Sequence, residues 1–237
     1  MKAYIGCSGW YYKEWKEIFY PKELFLKDFF SYYAAHFNTV EVNSTFYHFP
    51  TQKTVQGWYK QAPKDFKYSI KANRHITHLK RFKDIRDPLK YLYSLSDILD
   101  EKIGCFLFQF PKNFTFTNER LDRILSQLNT DYKNVLEFRH SSWWVPQVIQ
   151  ALQSTNIMFC SVSGFNVPEE LIVANKQAYI RFHGDPTYSA SYTEQALSKW
   201  IKNINASSLK ELWAYFNNSL YGYAAQNALE FNQKIHK

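Results

Sequence analysis

Eight short runs of strand-type residues, separated by segments long enough to hold a crossover helix, constrain this chain more than any other feature. The runs are Tyr4–Cys7, Thr39–Asn43, Lys67–Lys71, Cys105–Gln109, Val135–Arg139, Ile157–Ser161, Tyr179–His183 and Trp213–Asn217. Between them, Leu24–Phe37, Leu89–Leu99, Asn118–Leu128, Val145–Leu152 and Glu194–Ile204 carry apolar residues at helical spacing. Strands alternating with helices pair in parallel, and eight such units predict closure into a TIM-type (β/α)8 barrel, an α/β fold. The length of 237 residues suits one such barrel. No Gly/Ser-rich linker or compositional break interrupts it, so residues 1–237 read as a single domain.

Five of the runs end in a polar–apolar–polar triplet: Glu41-Val-Asn43, Ser69-Ile-Lys71, Glu137-Phe-Arg139, Arg181-Phe-His183 and Tyr215-Phe-Asn217. Side chains alternate faces along a strand, so each polar pair points one way and the apolar residue between them the other. In a barrel the middle residue meets the helix layer. The polar pair then points inward near the C-terminal rim, where barrels of this type build their sites. Five strands doing so at one level predict a shared polar cavity.

The same segments carry a family resemblance. Ile5-Gly-Cys-Ser-Gly-Trp10 is followed by Lys13-Glu-Trp15, Phe19-Tyr-Pro21, Val40-Glu-Val-Asn-Ser-Thr-Phe-Tyr47 and Lys71 with Thr77-His78. Then come Gln109-Phe-Pro111, Glu137-Phe-Arg-His140 with Trp143, Arg181-Phe-His-Gly184, and Tyr215-Phe-Asn-Asn218 with Gly222 and Asn227-Ala228. In this series the chain resembles the YecE-like family, also called domain of unknown function 72. The resemblance implies a TIM-type barrel and brings no established activity, cofactor or substrate. Two positions depart from the family's pattern. Cys7 stands where Thr is frequent, which argues against a catalytic thiol. Ser161-Val-Ser163 stands where an acidic residue is frequent after the sixth strand, so a mechanism needing that carboxylate loses support.

The inward pairs supply the candidate site. Glu137 and Arg139 read either as a structural ion pair or as an acid–base carboxylate tuned by burial and by its arginine. Arg181 and His183 end the seventh run beside Gly184 and a loop containing Tyr188. Asn217, Asn218 and Gly222 precede a final helix running toward Ile235. Barrels frequently bind phosphate in this corner, so anion binding is expected there. The plainer alternative has Arg181 neutralising Glu41 or Glu137. Lys71 reads first as a counter-charge for Glu41 or for a bound anion, and second as a base or Schiff-base lysine. The expected catalytic set is Glu137, His183, Lys71 and Glu41. Arg139, Arg181, Asn43, His78, Gln109, Tyr188, Asn217 and Trp10 are expected to bind substrate.

Charge and composition narrow the partners. A net charge of +8 and a pI of about 9.2 favour phosphorylated metabolites, nucleotides or nucleic acid. Trp10, Tyr11, Tyr12 and Trp15, with Trp143 and Trp144, fall in loops above the rim, either to stack on sugars or bases or to roof the barrel. Glu41, His75, His78, Glu137 and His183 are types that bind zinc or manganese, yet Lys71, Arg139 and Arg181 share the rim and repel a cation. No cofactor is therefore expected, and a divalent metal is the minority reading. The three cysteines cannot pair without remainder and read as buried thiols. Without a signal-like apolar run or a membrane-length stretch, a cytoplasmic location and no membrane partner are expected. Oligomeric state is not legible. The leading expectation is an enzyme or ligand-binding protein handling a small anionic substrate, a phosphorylated sugar or nucleotide, by metal-free acid–base chemistry. The alternatives are a metal-dependent phosphodiesterase or nuclease-like barrel that binds nucleic acid, and a non-catalytic binding module.

Overall fold

A computed structural model describes residues 1–153, 155–184 and 189–235, and in it all eight expected strands form and pair in parallel. The elements are β1 (Lys2–Cys7), α1 (Phe29–His36), β2 (Thr39–Val42), α2 (Gln52–Gln61), β3 (Lys67–Lys71), α3 (Arg86–Ser94), α4 (Ser96–Leu99) and β4 (Ile103–Phe110). They continue with α5 (Asn118–Leu125), β5 (Asn134–Phe138), α6 (Pro146–Gln153), β6 (Ile157–Ser163), β7 (Gln177–Phe182), α7 (Glu194–Asn205), β8 (Glu211–Phe216) and α8 (Tyr223–Ile235). The strand order β1-β8-β7-β6-β5-β4-β3-β2 is that of a TIM-type barrel. Among the described residues no helix is long and apolar enough to cross a membrane.

Helices form where a stripe of apolar residues can be buried and a cap can start the turn. In α7, Leu197, Trp200, Ile201 and Ile204 are buried, and the Thr193 hydroxyl accepts from the Ala196 amide. Thr117 and Thr51 cap α5 and α2 in the same way. Helix α2 was not among the periodic segments read from sequence. Val55 is its one buried residue, so it has almost no apolar period to detect. The connection from β6 to β7 corrects the expectation of a helix in every crossover. Residues 164–176 contain Pro168 and place Phe165, Asn175 and Lys176 at positive φ, which no helix accommodates. This segment instead runs along the strand ends, the Ile172 amide donating to Ser161 Oγ at 2.8 Å.

The barrel interior is graded along its axis. At the bottom Tyr4 stacks on Trp213 with ring centroids 4.0 Å apart, beside the buried thiols of Cys105 and Cys160. Above them lies a hydroxyl layer, where Tyr215 Oη sits 2.6 Å from Thr39 Oγ1 and 2.7 Å from Ser69 Oγ. The ionised groups come next, nearer the C-terminal ends of the strands. Polarity therefore rises stepwise from an apolar plug to the mouth.

Seven backbone ladders join neighbouring strands. The junction of β1 with β2 is made by side chains instead. Asn38 accepts from the Ile5 amide at 3.2 Å and donates to the Ala3 carbonyl at 2.8 Å. The Tyr33 hydroxyl accepts from the Cys7 amide at 2.7 Å and donates to the Thr39 carbonyl at 2.9 Å. Gly6 must be glycine here, because a Cβ would lie 2.2 Å from the Thr39 oxygen and 2.7 Å from the Tyr33 hydroxyl. Tyr33→Phe is expected to leave the Cys7 amide and Thr39 carbonyl unpaired, costing about 1–3 kcal/mol for each group stranded. Urea denaturation checks this, and a midpoint equal to wild type would contradict the bridging role.

Candidate active site

One guanidinium organises the charged layer. Arg181, on β7, donates from Nε and Nη2 to the two oxygens of Glu41 at 2.9 and 2.6 Å, and from Nη1 to Glu137 Oε2 at 2.6 Å. All three side chains are fully buried. Glu41 also accepts from Ser8 Oγ and from Tyr179 Oη, each at 2.7 Å, so both its oxygens are saturated. A buried carboxylate is tolerable only with this degree of pairing. Ser8 had no place in the sequence reading; its role follows from its position at the exit of β1.

Glu137 carries the outer tier. Its Oε1 accepts from Arg139 Nε and lies 3.5 Å from His183 Nε2, while Oε2 faces Arg181. Burial alone would raise its pKa, but Arg139, Arg181 and His183 overcome that and hold the carboxyl well below the usual range. Such a carboxylate is a poor proton acceptor near neutrality, and its chemistry here is to orient two cation-facing groups. Burial, reinforced by Arg139, also holds the His183 imidazole neutral far below its ordinary range. Asn217 Nδ2 stands 3.2 Å from His183 Nδ1 on the other side of the ring. Arg139 lies flat on Phe165, its Cζ 3.6 Å from the ring centre, with Nη2 3.3 Å from His183. Its Nη1 donates to no described residue.

A cavity of about 840 Å³ opens over this tier, lined by His78, Gln109, Pro111, Lys112, Arg139, His140, Ser141, Gly164, Phe165, Asn166 and Glu169. A single π-turn over His75–Leu79 delivers His78 to it. Burial and the nearby cations Lys71, Arg139 and Arg81 lower the His78 pKa to about 4. Lys112, His140 and Phe165 were not expected, yet each lies two residues beyond the end of β4, β5 or β6. The general habit of barrels to build sites just past their strands could have found them. Glu169, an acidic residue after β6 that the sequence reading also missed, accepts from the Gly164 amide at 2.6 Å and pins this loop.

Several expectations are corrected by placement. Asn43, Arg139, His183 and Asn217 fall just past the strand ends rather than within them. Glu41 and Arg181 are sealed beneath the rim, and the donors of Arg181 are committed to Glu41 and Glu137, so Arg181 cannot meet an anion there. Trp10 and Asn43 belong to a separate cleft of about 220 Å³ on the β1–β2 side, where the Asn43 Oδ1 is buried without a described partner. Tyr188 lies outside the described residues. The corner before α8 is filled: Trp15 Nε1 donates to the Ser219 carbonyl at 2.8 Å, Ile18 packs against Gly222, and Asn218 bonds Asn227. Trp143, expected above the rim, is buried outside the barrel and stacks on Phe138 at 4.0 Å. In β6, Val162 faces inward, while Ser161 and Ser163 bond the outer segment that includes Ile172 and Glu169. The proposed metal ligands do not fit a cation: Glu41 and Glu137 are occupied by arginines, and His75 lines a different depression from His78. Among the described residues no three His, Cys, Asp or Glu side chains converge.

Lys71 differs from every other charge in the barrel. It is 9% exposed, its ammonium makes no hydrogen bond or ion pair with a described residue, and Nζ rests 4.3 Å from the Phe46 ring centre. Burial, with Arg181 nearby, lowers its pKa to about 7. Between pH 7 and 10.5 the unfolded chain holds a proton that the folded chain lacks, so Lys71 opposes folding increasingly as pH falls through that window. Two substitutions separate the roles of these charges. Arg181→Met strands two buried carboxylates and is expected to cost about 3–5 kcal/mol or prevent folding. Lys71→Met is expected to raise the urea midpoint at pH 6, with a gain in unfolding free energy of at most roughly 5 kcal/mol, and to lose that advantage above pH 10.5. A destabilised Lys71→Met protein at pH 6 would show the amine to be a structural partner.

Comparison with known proteins agrees with this architecture. The chain is 26% identical over 264 residues to the UPF0759 protein YunF of Bacillus subtilis, covering 94% of this chain and 91% of YunF. It is 27% identical over 142 residues to the UPF0759 protein YecE of Escherichia coli, covering 60% of this chain and 50% of YecE. A crystal structure of a DUF72 family protein from Thermotoga maritima superposes with a TM-score of 0.89 at 27% identity, over 100% of both chains. D-psicose 3-epimerase of Clostridium cellulolyticum, crystallised with D-tagatose, is 10% identical with a TM-score of 0.55 over 100% of this chain and 98% of its own, and shares the barrel fold alone. The family model described as "Protein of unknown function DUF72" matches residues 4–237, and this chain belongs to that family.

Proposed function

We propose that this barrel binds a small anionic substrate, of the phosphorylated sugar or nucleotide-like class, at its C-terminal mouth and acts on it by acid–base chemistry that needs no metal. The observation that carries the reading is Arg139. It is fixed on three sides by Glu137, His183 and Phe165, and its Nη1 edge remains for a ligand in the cavity it lines. Pre-ordered guanidinium of this kind suits phosphate and carboxylate, since little side-chain entropy is left to lose on binding. Lys112 adds charge at the rim, and Gln109, His140 and Ser141 offer polar groups for hydroxyls. Lys71 is the group whose proton affinity lies near neutrality, and His78, lowered to about 4, stands beside the cavity as a neutral imidazole. Three buried free thiols suit a reducing compartment, which favours the cytoplasm.

A separate groove whose lining includes Lys80, Arg81, Lys83, Arg120 and Arg123, the last paired with Glu119, favours, as a second reading, a longer polyanion such as nucleic acid. Calorimetry separates the two. Inorganic phosphate and phosphosugars are expected to bind wild type and to bind Arg139→Ala about tenfold or more weakly, the loss typical of a charge-assisted hydrogen bond. Equal binding by both proteins, or none by wild type, would remove the basis for the small-anion site. Steeply salt-dependent binding of oligonucleotides alone would favour the second reading.

A further inference from the structure

Among the described residues two lysines are buried, and they are treated differently. Lys102, on the outer side of the sheet, donates from Nζ to the carbonyls of Tyr59 and Ala62, each at 2.7 Å. It is the ordinary solution for a buried ammonium: full pairing. Lys71, the last residue of β3 and not itself in the lining of the mouth cavity, is nearly as buried, at 9% exposure against 6%, and is given no acceptor among the described residues. The two carboxylates near it are committed elsewhere. Glu41 is held by Arg181, Ser8 and Tyr179, and Glu137 by Arg139 and Arg181. What faces Nζ is the Phe46 ring, and Phe46 in turn meets His78 edge-on with centroids 5.0 Å apart. His78 lines the mouth cavity together with Arg139 and Lys112.

We infer that Lys71 is a nucleophilic amine, placed to condense with the carbonyl group of a small anionic aldehyde, ketone or 2-oxo acid whose charge is held by Arg139. The inference rests on the anion-binding reading above for the class of its substrate and adds the covalent step. The Nζ lone pair attacks the carbonyl carbon, and one N–H proton passes to the carbonyl oxygen to give a neutral carbinolamine. A second proton, taken from solvent, lets that hydroxyl leave as water while the nitrogen lone pair closes the C=N bond, yielding a protonated imine with one positive charge. That cation is an electron sink for breaking a bond at the adjacent carbon, and adding water back restores the amine. His78, neutral above about pH 4, lines the cavity and shares the Phe46 ring with Lys71, and it is assigned the movement of the protons. At pH 7 the free-amine fraction of Lys71 exceeds that of an ordinary lysine by on the order of a thousandfold.

The test uses wild-type protein incubated at pH 7 with pyruvate, dihydroxyacetone phosphate or glyceraldehyde 3-phosphate, then treated with sodium borohydride. Hydride addition to the imine carbon leaves a stable secondary amine, located by peptide mass spectrometry. The expected result is one adduct per chain on Lys71 with at least one probe, suppressed by excess inorganic phosphate and absent from Lys71→Met. Probe binding by calorimetry with no adduct at Lys71 overturns the inference and leaves the anion site standing. Adducts scattered over exposed lysines in proportion to exposure overturn it as well. Failure of both phosphate and carbonyl probes to bind overturns the anion reading and this inference together. Because wild type supplies the mapped adduct, the test survives a poorly folding variant.

Discussion

Arg181 reaches from β7 across the interior of the barrel and joins β2 to β5 through Glu41 and Glu137. Three strands that share no ladder with one another are thus tied by charge at a single height. Such a cluster is costly to bury, and its net contribution to stability is small compared with the penalty of breaking it. Its value is geometric. With both oxygens of Glu137 directed, the guanidinium of Arg139 and the ring of His183 acquire fixed orientations, and the floor of the cavity is thereby fixed as well. Arg139 and His183 are thus tied, through Glu137, to that one buried arginine.

The opening of the cavity is asymmetric for an equally physical reason. On the β7–β8 side, Trp15, Ile18, Asn218 and Asn227 fill the space before α8. On the β4–β6 side the residues just past the strand ends leave the space open, and the segment 164–176, tied to β6 through Ser161 and Ser163, lines one wall of it. The mouth therefore lies over Gln109, Arg139 and Phe165, away from the corner where barrels frequently hold phosphate. Arg139 takes the part that position alone would have assigned to Arg181.

The fold was legible because strand residues alternate faces and helix residues recur at a different period. The ends of β3, read as Lys67–Lys71, coincide with those observed. Helix α2 escaped because a polar helix with one buried residue leaves no periodic trace. The inward direction of Glu41, Lys71, Glu137 and Arg181 was equally legible from alternation. Their depth was not, since one residue of rise along a strand separates a sealed side chain from one at the mouth. Which cation pairs with which carboxylate depends on contacts between strands far apart in sequence, such as Arg181 with Glu41, and no local pattern encodes these. The loop residues Lys112, His140 and Glu169 carried no periodicity at all.

The junction of β1 and β2 adds a different property. Around the rest of the ring, widening the barrel means stretching ladders of amide–carbonyl bonds, broken by one register shift between β3 and β4. At this junction it means rotating Tyr33 and Asn38, whose four hydrogen bonds stand in for a ladder. Rotamer changes are softer than ladder rupture, so the ring has a preferred line of compliance running from the bottom of the barrel up to the Trp10 and Asn43 cleft. Deformation of the barrel concentrates there, and the charged tier spanning β2, β5 and β7 acts as the tie rod that limits it.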